Sequence, residues 1–175
     1  MTEQIQHGLA LFNEGQYQEA FVIFMDAAKQ GDADAQCYIS FMYEEGKGVR
    51  KNETKSREFL LKSVKKCDSE THLIIGRIYY YGEHVDQDKK QAFNWFLDSA
   101  NKGNPDAQYN IGEMYYRGEC VDENDDEAFK WFMKSAEQGD EQSQYYIGLM
   151  YYNGEYVNKD TKAAFKWFMK SAEQD

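Results

Sequence analysis

The chain has 175 residues, with one Pro, 42% hydrophobic residues and 16% aromatic residues, and this composition argues against disorder. Its 20 basic and 31 acidic residues give a net charge of −11, which disfavours nucleic acid and anionic membranes as ligands and favours basic partners. No apolar run approaches the roughly 18 residues of a membrane span. The N-terminal residues MTEQIQHGLALFNEG lack the pattern of a signal peptide, so we expect a cytoplasmic protein, with a removed leader and secretion left open.

Small residues and large apolar residues both recur at a spacing of 36 along the chain. Two series in the first halves of the repeats are Ser40, Gly76, Gly112, Gly148 and Gly46, Gly82, Gly118, Gly154. Two series in the second halves are Ala20, Ser56, Ala92, Ala128, Ala164 and Phe24, Leu60, Phe96, Phe132, Phe168. A fixed period between 20 and 50 residues predicts an array of structural repeats.

Each repeat is predicted to contain two amphipathic helices, because its apolar and small residues recur at helical spacing. We expect one repeat domain over 1–175, with repeats at about 1–31, 32–67, 68–103, 104–139 and 140–175. In the first repeat Gly8 and Ala20 are 12 residues apart, whereas Gly112 and Ala128 are 16 apart. The turn of the first repeat is therefore predicted to be shorter than the others.

Capping residues predict the helix ends. One register holds the N-caps of the second helices, at Asn52, Asp88, Asn124 and Asp160. Gly118 is placed to end a first helix in the left-handed conformation, and Gly31, Gly103 and Gly139 to end second helices.

Glycines inside the first helices need a packing reason, since each costs roughly 1 kcal/mol relative to alanine. Alanines of the second helices occupy the matching register. We expect Gly76, Gly112 and Gly148 to face Ala92, Ala128 and Ala164, so that the paired helices approach closely.

Two strings, AQYNIGEMYYRGECV...DEAFKWFMKSAEQG and SQYYIGLMYYNGEYV...KAAFKWFMKSAEQ, resemble the Sel-one-like repeat, a relative of the tetratricopeptide repeat. The resemblance covers roughly residues 33–175 as four repeats, and the first repeat is more similar to the tetratricopeptide form. It implies a bacterial protein and an all-α, right-handed α/α solenoid of five antiparallel helix pairs. The second turn glycine of the family is kept only as Gly48, and His84, Cys120 and Tyr156 replace it.

The resemblance also implies that the first helix of each pair lines a concave, partner-binding face. Candidate residues there are Phe41, Arg77, Tyr80, Tyr81, Tyr109, Glu113, Tyr116, Arg117, Tyr145, Leu149 and Tyr152. Tyrosine favours protein recognition, although packing between neighbouring first helices is the alternative for any single tyrosine. Tyr43, Tyr79, Tyr115 and Tyr151 are assigned to the core. We expect a protein or peptide partner, either basic or carrying a C-terminal carboxylate.

The eleven residues AFKWFMKSAEQ occur twice, at 128–138 and again at 164–174. Only the first copy precedes another helix of the array. The second copy is expected to present Phe165, Phe168 and Met169 as an apolar end. That end predicts self-association between copies or a capping helix in a longer parent array.

An enzyme is the rival class, because some cysteine-rich relatives of the repeat have been linked with β-lactam binding or hydrolysis. Ser63 and Lys66 form the pattern Ser-x-x-Lys, which matches one β-lactamase motif. The SDN and KTG motifs that accompany it in those enzymes are missing from the sequence. The function predicted is therefore a protein-interaction module rather than an enzyme. The alternatives are the β-lactam enzyme and a structural fragment of a longer array.

No cofactor or metal site is predicted. The histidines, His7, His72 and His84, fall in different registers, and the cysteines, Cys37, Cys67 and Cys120, have no metal-binding spacing. Cys37 and Cys67 are placed near the two ends of one helix pair, so a bridge is possible in geometry, although free thiols are expected.

Overall fold

The structure is a computed structural model that describes residues 2–63, 66–83, 86–154 and 156–173. Within these residues it contains ten α-helices and no strand. The helices are α1 (Glu3–Asn13), α2 (Tyr17–Lys29), α3 (Ala33–Glu45), α4 (Glu53–Ser63), α5 (Ser69–Tyr81), α6 (Lys89–Asn101), α7 (Pro105–Arg117), α8 (Asp125–Glu137), α9 (Glu141–Asn153) and α10 (Thr161–Ala172).

The helices form two compact units, Met1–Thr71 and His72–Asp175, with the boundary inside α5. In the first compact unit α1 packs on α2, α2 on α3, and α3 on α4. In the second, α6 packs on α7 and the succession continues through α8 and α9 to α10. The predicted all-α solenoid class of helix pairs is therefore confirmed. The single domain over 1–175 stays a prediction.

Both ends of the helices follow the predicted capping. The N-cap side chains of α4, α6, α8 and α10 each accept a hydrogen bond from a backbone N–H three residues ahead; they belong to Asn52, Asp88, Asn124 and Asp160. Gly46, Gly118 and Gly154 follow α3, α7 and α9 in the left-handed conformation. Side chains thus satisfy free N–H groups at these helix starts, and the backbone N–H groups of the glycines satisfy free carbonyls at these helix ends.

The glycines inside the first helices lie against phenylalanines. A Cβ atom added to Gly112 would lie 2.7 Å from Cδ1 of Phe132, and one added to Gly148 would lie 2.5 Å from Cε1 of Phe168. The same pairing joins the other glycines to the rings 16 or 20 residues later; the pairs are Gly8 with Phe24 and Gly76 with Phe96. The missing Cβ thus makes room for an aromatic ring, and the approach of these glycines to Ala92, Ala128 and Ala164 stays a prediction.

The second repeat departs from this pairing at both positions. Ser40 replaces the glycine and Leu60 replaces the phenylalanine. Ser40 is buried, and its hydroxyl donates to the carbonyl of Ser56 at 2.8 Å. Serine is larger than glycine, and leucine is smaller than phenylalanine. The smaller Leu60 thus accompanies the larger Ser40 on the facing helix.

Non-glycine residues occupy strained positions in two of the turns. Cys120 and Tyr156 have φ angles of 60° and 59°, close to the 67° of Gly48 at the same turn position. Such a left-handed conformation costs a residue with a side chain roughly 1–2 kcal/mol. The turn geometry is thus kept where the glycine is lost, at a cost in stability. His84, at the same position of another repeat, lies outside the described residues.

Replacing Cys120 with glycine is expected to stabilise the protein by relieving this strain. The matched control is Cys120→Ala, which removes the same contact of the thiol with the Lys89 carbonyl but keeps the Cβ atom. We expect the glycine variant to unfold at higher urea concentration than the alanine variant, by roughly 1 kcal/mol in free energy of unfolding. Equal stability of the two variants would show that the turn stores no strain.

Candidate functional site

Phe132 anchors a group of rings between α7, α8 and α9. The Tyr146 ring is stacked on Phe132 at 4.7 Å with an interplanar angle of 7°, and the Tyr109 ring lies 5.9 Å from Phe132. The Tyr116 ring packs edge-on against Tyr146 at 5.5 Å. Tyr109 and Tyr116, both predicted to bind a partner, are therefore half-buried between neighbouring helices. This is the packing alternative that the sequence left open.

A charged network fixes the hydroxyl of Tyr109. The Tyr109 hydroxyl donates to Oε1 of Glu113 at 3.2 Å, and the guanidinium of Arg117 contacts the same oxygen at 2.8 Å. Burial, followed by the charge of Glu113, raises the pKa of Tyr109 above its ordinary range. Tyr109 therefore stays a neutral hydrogen-bond donor, and Glu113 is turned toward its neighbours rather than toward a ligand.

A second network holds Tyr80. Oε2 of Glu119 accepts from the Tyr80 hydroxyl at 2.9 Å and from Nζ of Lys89 at 2.8 Å. Nζ of Lys89 also lies 5.2 Å from the centroid of the Tyr80 ring. The hydrogen bond from Lys89 lowers the pKa of Glu119 below its ordinary value, while burial raises the pKa of Tyr80. Tyr80 thus ties α5 to the turn after α7.

The other predicted tyrosines are the exposed ones. Tyr81, Tyr145 and Tyr152 are 63%, 49% and 52% exposed. Tyr79 is buried as predicted, as is Tyr43. Of the remaining predicted core tyrosines, both Tyr115 and Tyr151 are half-buried and pack against the core around Phe132.

A groove of about 520 Å³ collects several of the predicted residues on one surface of the second compact unit. We call it the α5–α7–α9 groove, and its lining residues are Arg77, Tyr81, Asp106, Tyr109, Asn110, Asp140, Glu141 and Gln142. The guanidinium of Arg77 contacts Oδ2 of Asp106 at 2.8 Å, so its charge is already paired. The other two acidic side chains leave the groove with an excess of negative charge.

Eight of the eleven predicted residues lie outside the groove lining, and Phe41, Leu149 and Tyr152 are three of them. Phe41 is fully buried in the first compact unit, with its ring 5.9 Å from that of Phe12, so it cannot offer a binding surface there. Leu149 is half-buried on α9, and Tyr152 lies outside the groove lining, with Nζ of Lys159 at 5.2 Å from its ring.

Sequence reasoning missed the polar groove residues Asn110, Asp140, Glu141 and Gln142. A signal was present, because Asp140 and Gln142 lie 36 residues after the cap Asn104 and the first-turn residue Asp106. A cap position and a first-turn position predict where a helix starts, but not which surface their side chains line. The side chain of Asp140 does cap α9, accepting from the Ser143 N–H at 2.7 Å, and the same residue lines the groove.

Ser63 of the β-lactamase-like pattern is buried, and so are the two cysteines considered for a bridge. Ser63 is buried, its hydroxyl lies 3.2 Å from Sγ of Cys37, and it donates to the Leu60 carbonyl at 3.3 Å. Lys66 is exposed. Cys37 and Cys67 are buried free thiols with sulfur atoms within 4.8 Å of each other, so the two are near neighbours as the sequence predicts.

Comparisons with known proteins match the repeat register found in the structure. The Sel1 repeat model matches four consecutive segments, at residues 33–66, 70–104, 105–140 and 141–175. The chain belongs to the Sel1 repeat family. A search of curated protein sequences found none that is significantly similar to this chain.

Two solved Sel1-type structures are similar to the chain. The Sel1 repeat protein of Oxalobacter formigenes is 26% identical with a TM-score of 0.63, over 98% of this chain and 71% of that one. A protective antigen present in uropathogenic Escherichia coli strains, with an SLR fold, is 35% identical with a TM-score of 0.67. That match covers 90% of this chain but only 34% of the antigen, so this chain spans about one third of its length.

Sel1 repeat folds are commonly protein-interaction modules and the scaffold is generally non-catalytic. None of the described helices of this chain combines the length and the apolar character needed to cross a bilayer.

Replacing Glu119 with glutamine should lower the free energy of unfolding only at pH values at which the Glu119 carboxylate is charged. Because folding lowers the pKa of Glu119, its carboxylate stabilises the folded state above the unfolded pKa, and this contribution is lost as pH falls through the folded pKa. We expect Glu119→Gln to lower the free energy of unfolding by about 1 kcal/mol or less at neutral pH.

In acid, the difference between wild type and Glu119→Gln should disappear. Urea unfolding from pH 7 down to pH values below the ordinary 4.5 of a glutamate measures this directly. The exposed Glu123→Gln is the control, and its difference from wild type should stay small at every pH. A Glu119→Gln deficit that is constant with pH would contradict the network.

Proposed function

We propose that the chain is a non-catalytic protein-binding module that takes up a basic peptide segment in the α5–α7–α9 groove. The observation that carries the proposal is the combination of exposed aromatic surface and unpaired negative charge in that groove. Tyr81 provides the aromatic surface, while Asp140 and Glu141 provide carboxylates that no cation on the groove lining neutralises.

Charge favours a basic ligand over one with a C-terminal carboxylate. A carboxylate would need a cationic group in the groove, and the guanidinium of Arg77 is already paired with Asp106. A Lys or Arg side chain would instead meet carboxylates together with the face of Tyr81, to which a cation is attracted. The net charge of −11 would also speed the approach of a basic partner.

Side-chain order in the groove supports binding without large rearrangement. Tyr109 on the groove lining is fixed through Glu113, and Asn110 is held by a hydrogen bond from its amide nitrogen to the Asp106 carbonyl at 2.7 Å. A lining whose rotamers are already set loses little entropy on binding. The part that stays adaptable is Tyr81, the most exposed tyrosine of the described residues.

The proposal also holds that the chain has no hydrolytic activity of its own. The Ser63 hydroxyl, which the β-lactamase alternative would need as nucleophile, is buried beside Cys37. A nucleophile of this type requires an accessible hydroxyl next to a base. The generally non-catalytic character of the Sel1 scaffold points the same way.

Binding to a labelled peptide of alternating arginine and glycine tests the groove. The test variant, Tyr81→Ala with Glu141→Gln, removes one exposed tyrosine and one carboxylate from the groove. We expect fluorescence anisotropy to show an affinity at least about tenfold weaker than wild type, because an aromatic anchor and a charge are lost together.

The matched control, Tyr156→Ala with Glu123→Gln, makes the same chemical changes on the turns outside the groove. Its affinity should stay within about twofold of wild type, and a peptide of alternating glutamate and glycine should not bind. Equal weakening by both double variants would mean that general charge attraction, and not the groove, holds the peptide.

Self-association through Phe165, Phe168 and Met169 is a second candidate, and one observation favours it. The segment AFKWFMKSAEQ has the same sequence in α8 and α10, yet its side chains differ in burial. Phe129 and Met133 of α8 are half-buried against the core, whereas Phe165 and Met169 of α10 are 64% and 43% exposed. Phe168 itself is half-buried beneath Gly148 and Tyr145, so it contributes only at the edge of that surface.

A further inference from the structure

α10 presents the same face that α8 uses to hold the following helix. In α8, Phe129 meets Tyr151 of α9 edge-on at 5.9 Å, and Ala136 on the same side is buried. In α10 the corresponding side chains are exposed; they are Phe165, Met169 and Ala172, and we call them the C-terminal face. The C-terminal face is therefore shaped by its sequence for the first helix of another repeat.

The first compact unit presents the matching helix surface. A pocket of about 590 Å³ opens between α1 and α2, and we call it the N-terminal pocket; its lining residues are His7, Leu11, Gln16, Gln18, Glu19, Val22 and Ile23. Aligned on Gly8 and Gly148, His7 and Leu11 occupy the register of Ile147 and Tyr151, two α9 residues that pack against the core around α8. Val22 on the pocket rim is 64% exposed.

The helix and the hairpin that carry the two surfaces have opposite net charge. α10 has three lysines and no acidic residue between Thr161 and Ala172; they are Lys162, Lys166 and Lys170. The α1–α2 hairpin has one lysine and four acidic residues; these are Lys29 against Glu3, Glu14, Glu19 and Asp26. A contact between the α10 helices of two copies would bring lysines close to lysines. A contact of α10 with the α1–α2 hairpin would bring lysines close to carboxylates.

We propose that the C-terminal face of one copy of this chain docks on the N-terminal pocket of a second copy, so that the repeat register continues from one molecule to the next. This inference deepens the self-association candidate and does not depend on peptide binding in the α5–α7–α9 groove. The contact joins two different surfaces, so in a pair of copies one copy keeps a free N-terminal pocket and the other keeps a free C-terminal face. A contact of this kind gives assemblies that grow by addition of further copies, as open chains or as rings where the rotation closes, and not dimers related by a two-fold axis.

Sedimentation velocity at increasing protein concentration tests the docking on the full chain. The average mass of wild type is expected to rise with concentration and to fall on adding salt, because the lysines and carboxylates are exposed. Val22→Glu blocks the pocket and Phe165→Glu blocks the face. Both residues are 64% exposed, so the fold should be retained, as circular dichroism would show. Met169→Glu on the same face serves in place of Phe165→Glu if helix content falls.

Mixing the two variants distinguishes the proposed contact from every other one. Each variant alone should sediment as a single chain, whereas an equimolar mixture should form a complex of two chains, because one intact face meets one intact pocket. A wild type that stays a single chain at all concentrations overturns the proposal. Association that survives Val22→Glu also overturns it, in favour of a symmetrical contact between two α10 helices or of another surface.

The groove variant Tyr81→Ala with Glu141→Gln keeps the two questions separate. It should assemble like wild type even if it no longer binds the basic peptide. Loss of peptide binding with intact assembly, or the reverse, therefore identifies which of the two proposals fails.

Discussion

The contact between a mid-helix glycine and a phenylalanine of the paired helix sets the spacing of four of the five hairpins, and the rest of the structure depends on it. At Gly112 the ring of Phe132 occupies the space in which any side chain would lie. The other side of the ring is used as well, because Tyr146 of the next repeat stacks on Phe132. One ring thus joins the two helices of its own hairpin and the hairpin that follows.

The first compact unit uses the same arrangement around Phe24. Gly8 lies beneath the ring, and Tyr38 of the next helix stacks on it at 4.7 Å. Tyr38 is buried, and burial raises its pKa above the ordinary range, so it is a neutral packing ring. The high aromatic content of the chain is explained in large part by this use of rings between repeats, and it need not indicate a ligand.

Packing between repeats also decides which tyrosines remain for a partner. Tyr109 and Tyr116 are used against Phe132 and Tyr146, and Tyr80 is tied to Glu119. Tyr81, one residue further along α5, meets the Tyr80 ring edge-on at 5.0 Å and stays 63% exposed. The proposed binding surface therefore uses Tyr81, which the repeat contacts leave exposed, beside acidic residues of the first helical turns.

The helix pairs, their caps and the repeat register could be predicted from the sequence, because each follows from local spacing. The partner of the mid-helix glycines could not, since Ala128 and Phe132 lie on the same side of α8 and periodicity does not rank them. Burial of Phe41 depends on the preceding repeat, whose Phe12 ring lies 5.9 Å from the Phe41 ring. The exposure of each tyrosine depends on its contacts with the next repeat. The helical pattern within one repeat carries no information about those contacts.

A double-mutant cycle on Gly112 and Phe132 tests the central contact most directly. The free energy of unfolding would be measured by urea denaturation for Gly112→Ala, Phe132→Leu and both together. The contact predicts that the alanine costs roughly 1–3 kcal/mol beside phenylalanine and much less beside leucine, as in the Ser40 and Leu60 pair. Effects that add to within about 0.5 kcal/mol would show that the ring does not rest on the glycine.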